Sequence, residues 1–164
     1  MNLVTRDVEA SCRKLLDKYK DNCSGFVRAV SDDLMLYLPG ASGNATEQVD
    51  FMKLLLGSHA RTIDSLKYLG DGKSAEPDAV RLAEEGNFVV CGMTQKELQR
   101  NRAGKTVANG HVAVVVGGWS RTVWPLAYWG QKGGTPGRRE SLSKSFRSTD
   151  RESIHYFAVM IPAD

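Results

Sequence analysis

The sequence lacks any long hydrophobic run and is poor in cysteine, histidine and proline. No stretch of 18 apolar residues occurs, so we expect no membrane-spanning helix. The first residues, MNLVTRDVEASCRKL, show no basic start followed by an apolar segment, so we expect no secretory signal. These absences predict a protein that is synthesised in the cytoplasm.

The three cysteines and three histidines are too few and too scattered for a structural metal site. No Cys-x-x-Cys or His-x-x-x-His spacing occurs, so we expect no zinc, and nothing in the pattern indicates a cofactor. Because three is an odd number, at least one thiol is free in the monomer that we expect.

The small net charge argues against nucleic acid as a partner. It is +3, from 22 basic and 19 acidic residues. Basic residues do gather between Lys132 and Arg151, where a solvated loop is the simplest interpretation. The 164 residues, with 41% hydrophobic and 25% charged content, predict one globular domain spanning 1–164.

Local patterns predict helices in the first half and strands in the second, which indicates an α+β fold with an antiparallel sheet. The predicted helices cover 5–19, a segment that follows Asp21 or Asn22 and ends near Leu38, a segment from about Thr46 to Gly57, and a segment between Pro77 and Gly86. The predicted strands cover 88–91, 111–116, 123–129 and 154–161. The stretches 94–110 and 132–148 read as a polar connection and a long loop, and 57–74 has no clear pattern.

Cys23 is the best candidate for a nucleophile. It begins a predicted helix, where unpaired backbone N–H groups and the helix dipole stabilise a thiolate, so we expect a lowered thiol pKa. The same N–H groups can form an oxyanion hole, and the small neighbours Ser24 and Gly25 leave room for a substrate carbonyl. A cysteine in a helix is usually a core residue, but polar neighbours make Cys23 a poor core position. Cys12 and Cys91 lie in apolar patterns and are predicted to be buried.

A cysteine nucleophile needs a base, and His111 is the best placed of the three histidines. It opens an apolar strand directly after Gly110, so its ring can face a cleft at the end of a sheet. His59 lies in the region without a clear pattern, and His155 lies within a predicted strand. The alternative is that His111 is only a strand-end residue with a satisfied side chain.

The group that orients the imidazole is not evident. Tyr128, Trp129, Gln131 or a backbone carbonyl remain open, although the aromatic residues are more often used for packing. We take the following as candidates for oxyanion or substrate binding: Asn22, Ser24, Gly25, Gly110, Trp129 and Gln131.

Two segments carry a family resemblance. Residues 20–27, KDNCSGFV, and 110–115, GHVAVV, resemble the nucleophile and histidine motifs of the type VI secretion amidase effectors, within the NlpC-like branch of papain-like cysteine peptidases. A weaker similarity is found at 149–151, and the resemblance runs from about residue 7 to 161. Close relatives carry cysteines in the strand where this chain has Ala127, Tyr128 and Trp129, so the third catalytic group and any disulfide of Cys12 do not carry over.

The resemblance implies a papain-like NlpC-type fold and an antibacterial toxin that hydrolyses peptidoglycan peptide stems, typically between D-glutamate and meso-diaminopimelate. It implies delivery by a type VI secretion apparatus into the periplasm of a competitor, and a cognate immunity protein that plugs the cleft. Cys23 and His111 match the nucleophile and base of that family. The alternatives are another papain-like cysteine protease, an acyltransferase, or a non-catalytic module that binds the cell wall.

Overall fold

The computed structural model describes residues 7–57, 65–103 and 106–162 of the chain. In these ranges helices dominate the first half and strands the second, as predicted. The helices are α1 (Val8–Leu15), α2 (Cys23–Asp33), α3 (Ala45–Gly57), α4 (Glu76–Glu84) and α5 (Gln95–Asn101). The strands are β1 (Leu66–Asp71), β2 (Phe88–Met93), β3 (His111–Trp119), β4 (Pro125–Trp129), β5 (Gly137–Ser141) and β6 (His155–Val159). Short 3₁₀ segments cover Lys73–Ala75, Leu142–Lys144 and Ser148–Ser153.

The strands form a six-stranded sheet in the order β1-β6-β2-β3-β4-β5. Every neighbouring pair is antiparallel. The combination of helices with this sheet confirms the predicted α+β class and is consistent with a papain-like fold. None of the helices in the described ranges is long and apolar enough to cross a membrane.

The central strand β3 contributes to two hydrophobic cores because its side chains alternate between the faces of the sheet. Val112, Val114 and Val116 join the core that α1, α2 and α3 cover. Ala113 and Val115 join the opposite core, beneath α4 and the segment that follows β5. Burial on both faces explains why the strand reads as a continuous apolar run.

The predicted strands are present, but their bounds differ and two strands were missed. β1 lies in the stretch with no clear pattern, and β5 lies in the predicted loop 132–148. Both are edge strands with mostly exposed or half-buried side chains, so neither shows the apolar alternation that identifies a strand.

The predicted polar connection 94–110 also contains a helix, α5. Thr94 caps this helix by accepting the N–H of Glu97, while the Glu97 carboxylate accepts the N–H of Thr94. This capping box is visible as Thr-x-x-Glu in the sequence, but the helix has few apolar residues. The first helix is shorter than predicted, since Val8–Leu15 is followed by a turn.

Cys12 and Cys91 are fully buried, as predicted from their apolar patterns. Both lie within the hydrophobic cores, on opposite faces of the sheet. Neither they nor the partly buried Cys23 forms a disulfide.

Candidate active site

The N-terminus of α2 is built around Asn22, which caps the helix as predicted. Its Oδ1 accepts the N–H of Gly25 at 2.9 Å and the hydroxyl of Ser24 at 3.1 Å. Cys23 is therefore the first helical residue, and its side chain is partly buried. A Cβ on Gly25 would lie 2.5 Å from Asn22 Nδ2, so glycine is required for this close cap. The cap consumes the Gly25 N–H, which is not free to bind an oxyanion.

Two contacts fix the start of α2 against neighbouring elements. The N–H of Gln131, just past β4, donates to the carbonyl of Lys20 at 2.7 Å. Gly130 allows this approach, since a Cβ there would lie 2.3 Å from the Tyr19 carbonyl oxygen. On the other side, the buried Gln48 of α3 donates to the Ser24 carbonyl at 3.1 Å.

His111 is the first residue of β3 and lies opposite Met93 of β2. Its ring packs edge-on against Phe146, with centroids 5.1 Å apart, and its Nε2 hydrogen-bonds the hydroxyl of Ser145. Gly110 permits this strand start to lie close to α3, because a Cβ there would lie 2.7 Å from Thr46 Oγ1. The prediction that His111 opens a strand at the end of the sheet is confirmed.

Cys23, His111 and Ser145 line one cleft with a volume of about 710 Å³. Cys23 and His111 approach it from different faces of the sheet, and they make no direct hydrogen bond to each other. The backbone N–H of Val112, the neighbour of His111, is among the groups that lower the pKa of the Cys23 thiol. The start of β3 therefore influences the thiol through Val112 as well as through His111.

Burial controls the protonation of both groups. Desolvation raises the pKa of the Cys23 thiol, although hydrogen bonds from the backbone N–H groups of Val112, Ser24 and Cys23 itself oppose the rise. Desolvation, assisted by the positive charge of Arg102, lowers the pKa of His111 to about 4. Both shifts favour a neutral thiol beside a neutral imidazole. The pKa of the Cys23 thiol is therefore raised and not lowered as expected, because loss of solvation outweighs the backbone N–H groups around the sulfur.

The structure brings four of the predicted binding residues into the cleft lining: Asn22, Ser24, Gly110 and Gln131. Gly25 does not line the cleft. Trp129 is 2% exposed and lines an adjoining cavity of about 510 Å³ instead. Gly25 serves the cap, and Trp129 lies in the core at the wall of the adjoining cavity, so neither lines the cleft beside Cys23. The binding roles of all six residues stay predictions.

Neither His155 nor Tyr128 lines the cleft that contains Cys23. His155 lies in β6, where Nε2 pairs with Glu97 at 2.6 Å and Nδ1 hydrogen-bonds Tyr68. Tyr128 is buried in the core beneath α1 and α2. His59 lies outside the described residues.

Sequence reasoning missed two residues of the cleft, Ser145 and Arg102. Ser145 is 34 residues from His111 along the chain and follows a short 3₁₀ segment, so no local pattern indicates its role. Arg102 follows α5, the helix that was not predicted. The capping box of α5 is the one feature that could have drawn attention to this region.

Comparison with known proteins relates the chain to a cell-wall hydrolase. The chain is 28% identical over 142 residues to peptidoglycan amidase Tse1 of Pseudomonas aeruginosa, which covers 84% of this chain and 75% of the relative. This match confirms the family resemblance. No protein-family model matches the chain.

Proposed function

We propose that this protein is a cysteine amidase that hydrolyses the peptide stems of peptidoglycan. The observation that carries the proposal is the shared cleft, which Cys23 lines from a capped helix N-terminus and His111 lines from the start of β3. The similarity to peptidoglycan amidase Tse1 supports the choice of substrate.

Acylation begins with proton transfer from the Cys23 thiol to the neutral imidazole of His111 as the sulfur attacks the amide carbonyl. The pKa of His111, lowered to about 4, leaves the imidazole unprotonated at neutral pH and able to accept a proton, but it also makes the imidazole a weaker base. Proton transfer therefore accompanies the attack of sulfur and does not precede it. Collapse of the tetrahedral intermediate breaks the C–N bond, and the imidazolium protonates the leaving amine. Water then attacks the thioester, gives a proton to His111, and releases the carboxylic acid as the proton returns to sulfur.

The N–H groups of Cys23 and Ser24 are the best candidates for the oxyanion hole. Both belong to the first turn of α2 and contribute to lowering the pKa of the Cys23 thiol, so they lie near the point where charge develops once sulfur bonds to carbon. The prediction that N–H groups of this helix start serve the oxyanion is retained for these two residues, and Gly25 is removed from it.

Ser145 takes the place of the orienting group that the sequence did not identify. Its hydroxyl holds Nε2 of His111, while Nδ1 makes no hydrogen bond to any described residue. The tautomer with the proton on Nε2 donates to the Ser145 hydroxyl and leaves Nδ1 as the basic nitrogen. Ser145 thereby orients the ring, a function that a carboxylate or amide serves in other triads.

The finer parts of the proposal rest on the resemblance of 20–27 and 110–115 to the amidase effectors. The scissile bond is the one between D-glutamate and meso-diaminopimelate. A type VI secretion apparatus delivers the protein into the periplasm of a competitor, and a cognate immunity protein binds over the cleft.

Digestion of purified sacculi tests the proposal. Wild-type protein, Cys23→Ala and His111→Gln are incubated with sacculi, and the soluble fragments are identified by mass spectrometry. The wild type should release fragments whose masses locate a cleaved stem amide, and both variants should release almost none. Equal release by wild type and Cys23→Ala would refute cysteine catalysis. Fragments cut in the glycan strand, or none at all, would refute amidase activity.

A further inference from the structure

Arg102 lies where two cavities meet. It lines the cleft that contains Cys23 and His111, and it also lines the adjoining cavity beside Trp129. Gln131, Lys132 and Ser145 are shared in the same way. The second cavity therefore continues the cleft past the end of the proposed catalytic group, and Arg102 stands at the junction.

A buried carboxylate fixes the guanidinium of Arg102. Its Nη2 donates to Asp150 Oδ2 at 3.1 Å, and Asp150 is fully buried and also accepts the N–H of Arg147. Within the described ranges, the buried Nε of Arg102 and the buried Oδ1 of Asp150 have no hydrogen-bond partner. Nη1 makes no hydrogen bond to a described residue, and the side chain remains 20% exposed. A guanidinium fixed by a buried carboxylate is pre-organised to bind a second planar anion through its exposed N–H groups.

The surroundings of Arg102 favour an anion. Lys132 and Arg147 line the second cavity, and neither forms an ion pair with another described residue. Glu140 contributes a negative charge there, but Lys144 pairs with it at 2.8 Å. The acidic residue Asp21 lines the main cleft but not the second cavity, so it does not add negative charge to the second cavity's lining. Arg102 and His111 line the same cleft, and the positive charge of Arg102 contributes to the low pKa of His111.

We propose that Arg102 is a specificity-determining residue that binds a free carboxylate of the stem peptide next to the scissile amide. The inference rests on the proposed amidase function. A glutamyl residue joined through its side-chain carbonyl keeps its α-carboxylate free in the same residue as the bond to be cut. The diaminopimelate on the other side of that bond also carries a free carboxylate. Either group is a planar anion that a fixed guanidinium recognises.

Three synthetic stem peptides separate the two carboxylates. One peptide has both carboxylates free, one has the glutamyl α-carboxylate converted to a carboxamide, and one has the free diaminopimelate carboxylate so converted. The kcat/KM of each is measured with wild type, Arg102→Gln and Arg102→Lys. Arg100→Gln is the matched control, because Arg100 is exposed on α5 and lines neither cavity.

The wild type should lose about 10- to 100-fold in kcat/KM on one of the two carboxamides, which identifies the carboxylate bound. Relative to the wild type, Arg102→Gln should lose a similar factor in kcat/KM on the peptide with both carboxylates free. On the carboxamide that the wild type cleaves poorly, Arg102→Gln and the wild type should have almost the same kcat/KM. Arg102→Lys should keep part of the preference, and Arg100→Gln should keep all of it. Loss of activity by Arg102→Gln on every peptide by the same factor would show a purely structural role and overturn the inference.

Binding of the same peptides to Cys23→Ala keeps the inference testable if no peptide is cleaved. Isothermal titration calorimetry should show weaker binding of one carboxamide to Cys23→Ala, and equal binding of all three peptides once Arg102→Gln is added. Equal affinities of the Cys23→Ala single variant for all three peptides would overturn the role of Arg102. Failure of the wild type to cleave any peptide, with the binding preference intact, would overturn the amidase proposal alone.

Discussion

The hydroxyl of Ser145 hydrogen-bonds Nε2 of His111 and so joins the segment after β5 to the first residue of β3. Phe146, the next residue, packs edge-on against the same ring. Consecutive residues thus fix the rotation of the imidazole. The orientation of the His111 imidazole therefore depends on residues that follow the edge strand β5 and are distant from His111 in the sequence.

Ser145→Ala should lower kcat by roughly tenfold or more, because the imidazole loses the hydrogen bond that orients it. KM and the thermal unfolding midpoint should change little. Ser143→Ala is the control, since Ser143 belongs to the same short 3₁₀ segment and bonds Ser141 rather than His111. Steady-state kinetics on a stem peptide provide the measurement, and an unchanged kcat for Ser145→Ala would remove Ser145 from the mechanism.

Alkylation of Cys23 should report a neutral thiol. Burial raises its pKa, so the rate of labelling by iodoacetamide should still be rising between roughly pH 8 and 10. Cys12 and Cys91 are fully buried and should not react in the folded protein, and Cys23→Ala should remove the labelling. A labelling rate that stays constant from roughly pH 5 to 8 would instead indicate a thiolate paired with imidazolium.

Asn22→Ala should lower the free energy of unfolding by about 1 kcal/mol, because the N–H of Gly25 loses its cap. Activity should fall as well, since the same cap orients the first turn that carries Cys23. Asn22→Ser retains an oxygen acceptor and should recover most of the stability. Urea denaturation measures the change, and equal stability of the alanine variant and the wild type would show that the cap contributes nothing.

Acid should weaken the contact between α5 and β6. Burial alone would raise the pKa of Glu97, but hydrogen bonds from His155 and Thr94 outweigh it and lower the pKa to about 2. The folded pKa lies below the ordinary 4.5, so this stabilisation is present above about pH 4.5 and is lost as the pH falls towards 2.

Glu97→Gln should therefore lower the free energy of unfolding at pH 6 by about 1.5–3 kcal/mol and reduce the further loss on acidification. Glu85→Gln is the matched control, because Glu85 pairs with Arg81 on an exposed helix surface and should matter little. Identical slopes of stability against pH for wild type and Glu97→Gln would contradict the assignment.

Local patterns were sufficient for the parts of the site that depend on neighbouring residues. Asn22 caps α2 because its short amide reaches the N–H of Gly25, and that geometry belongs to four consecutive positions. His111 opens β3 because an apolar run follows Gly110, which is also a local feature. Because these features belong to consecutive residues, the segments 20–27 and 110–115 could also be recognised as similar to the motifs of a known family.

Other parts depend on contacts between distant residues and could not be predicted. Ser145 meets His111 only after β5 has paired with β4, and β5 has no apolar alternation of its own. The protonation of Cys23 depends on how deeply the sheet and α2 bury it, which helix position alone does not reveal. The edge strands β1 and β5 were missed because pairing, rather than side-chain pattern, makes them strands.

Release of new amino groups from purified sacculi is the most direct test of Cys23 and His111 acting in one cleft. Wild type, Cys23→Ala and His111→Gln are compared at equal concentration and neutral pH, after circular dichroism has shown that all three are folded. The account predicts steady amine release by the wild type and a rate at least about 100-fold lower for each variant. Release by Cys23→Ala at the wild-type rate would contradict it.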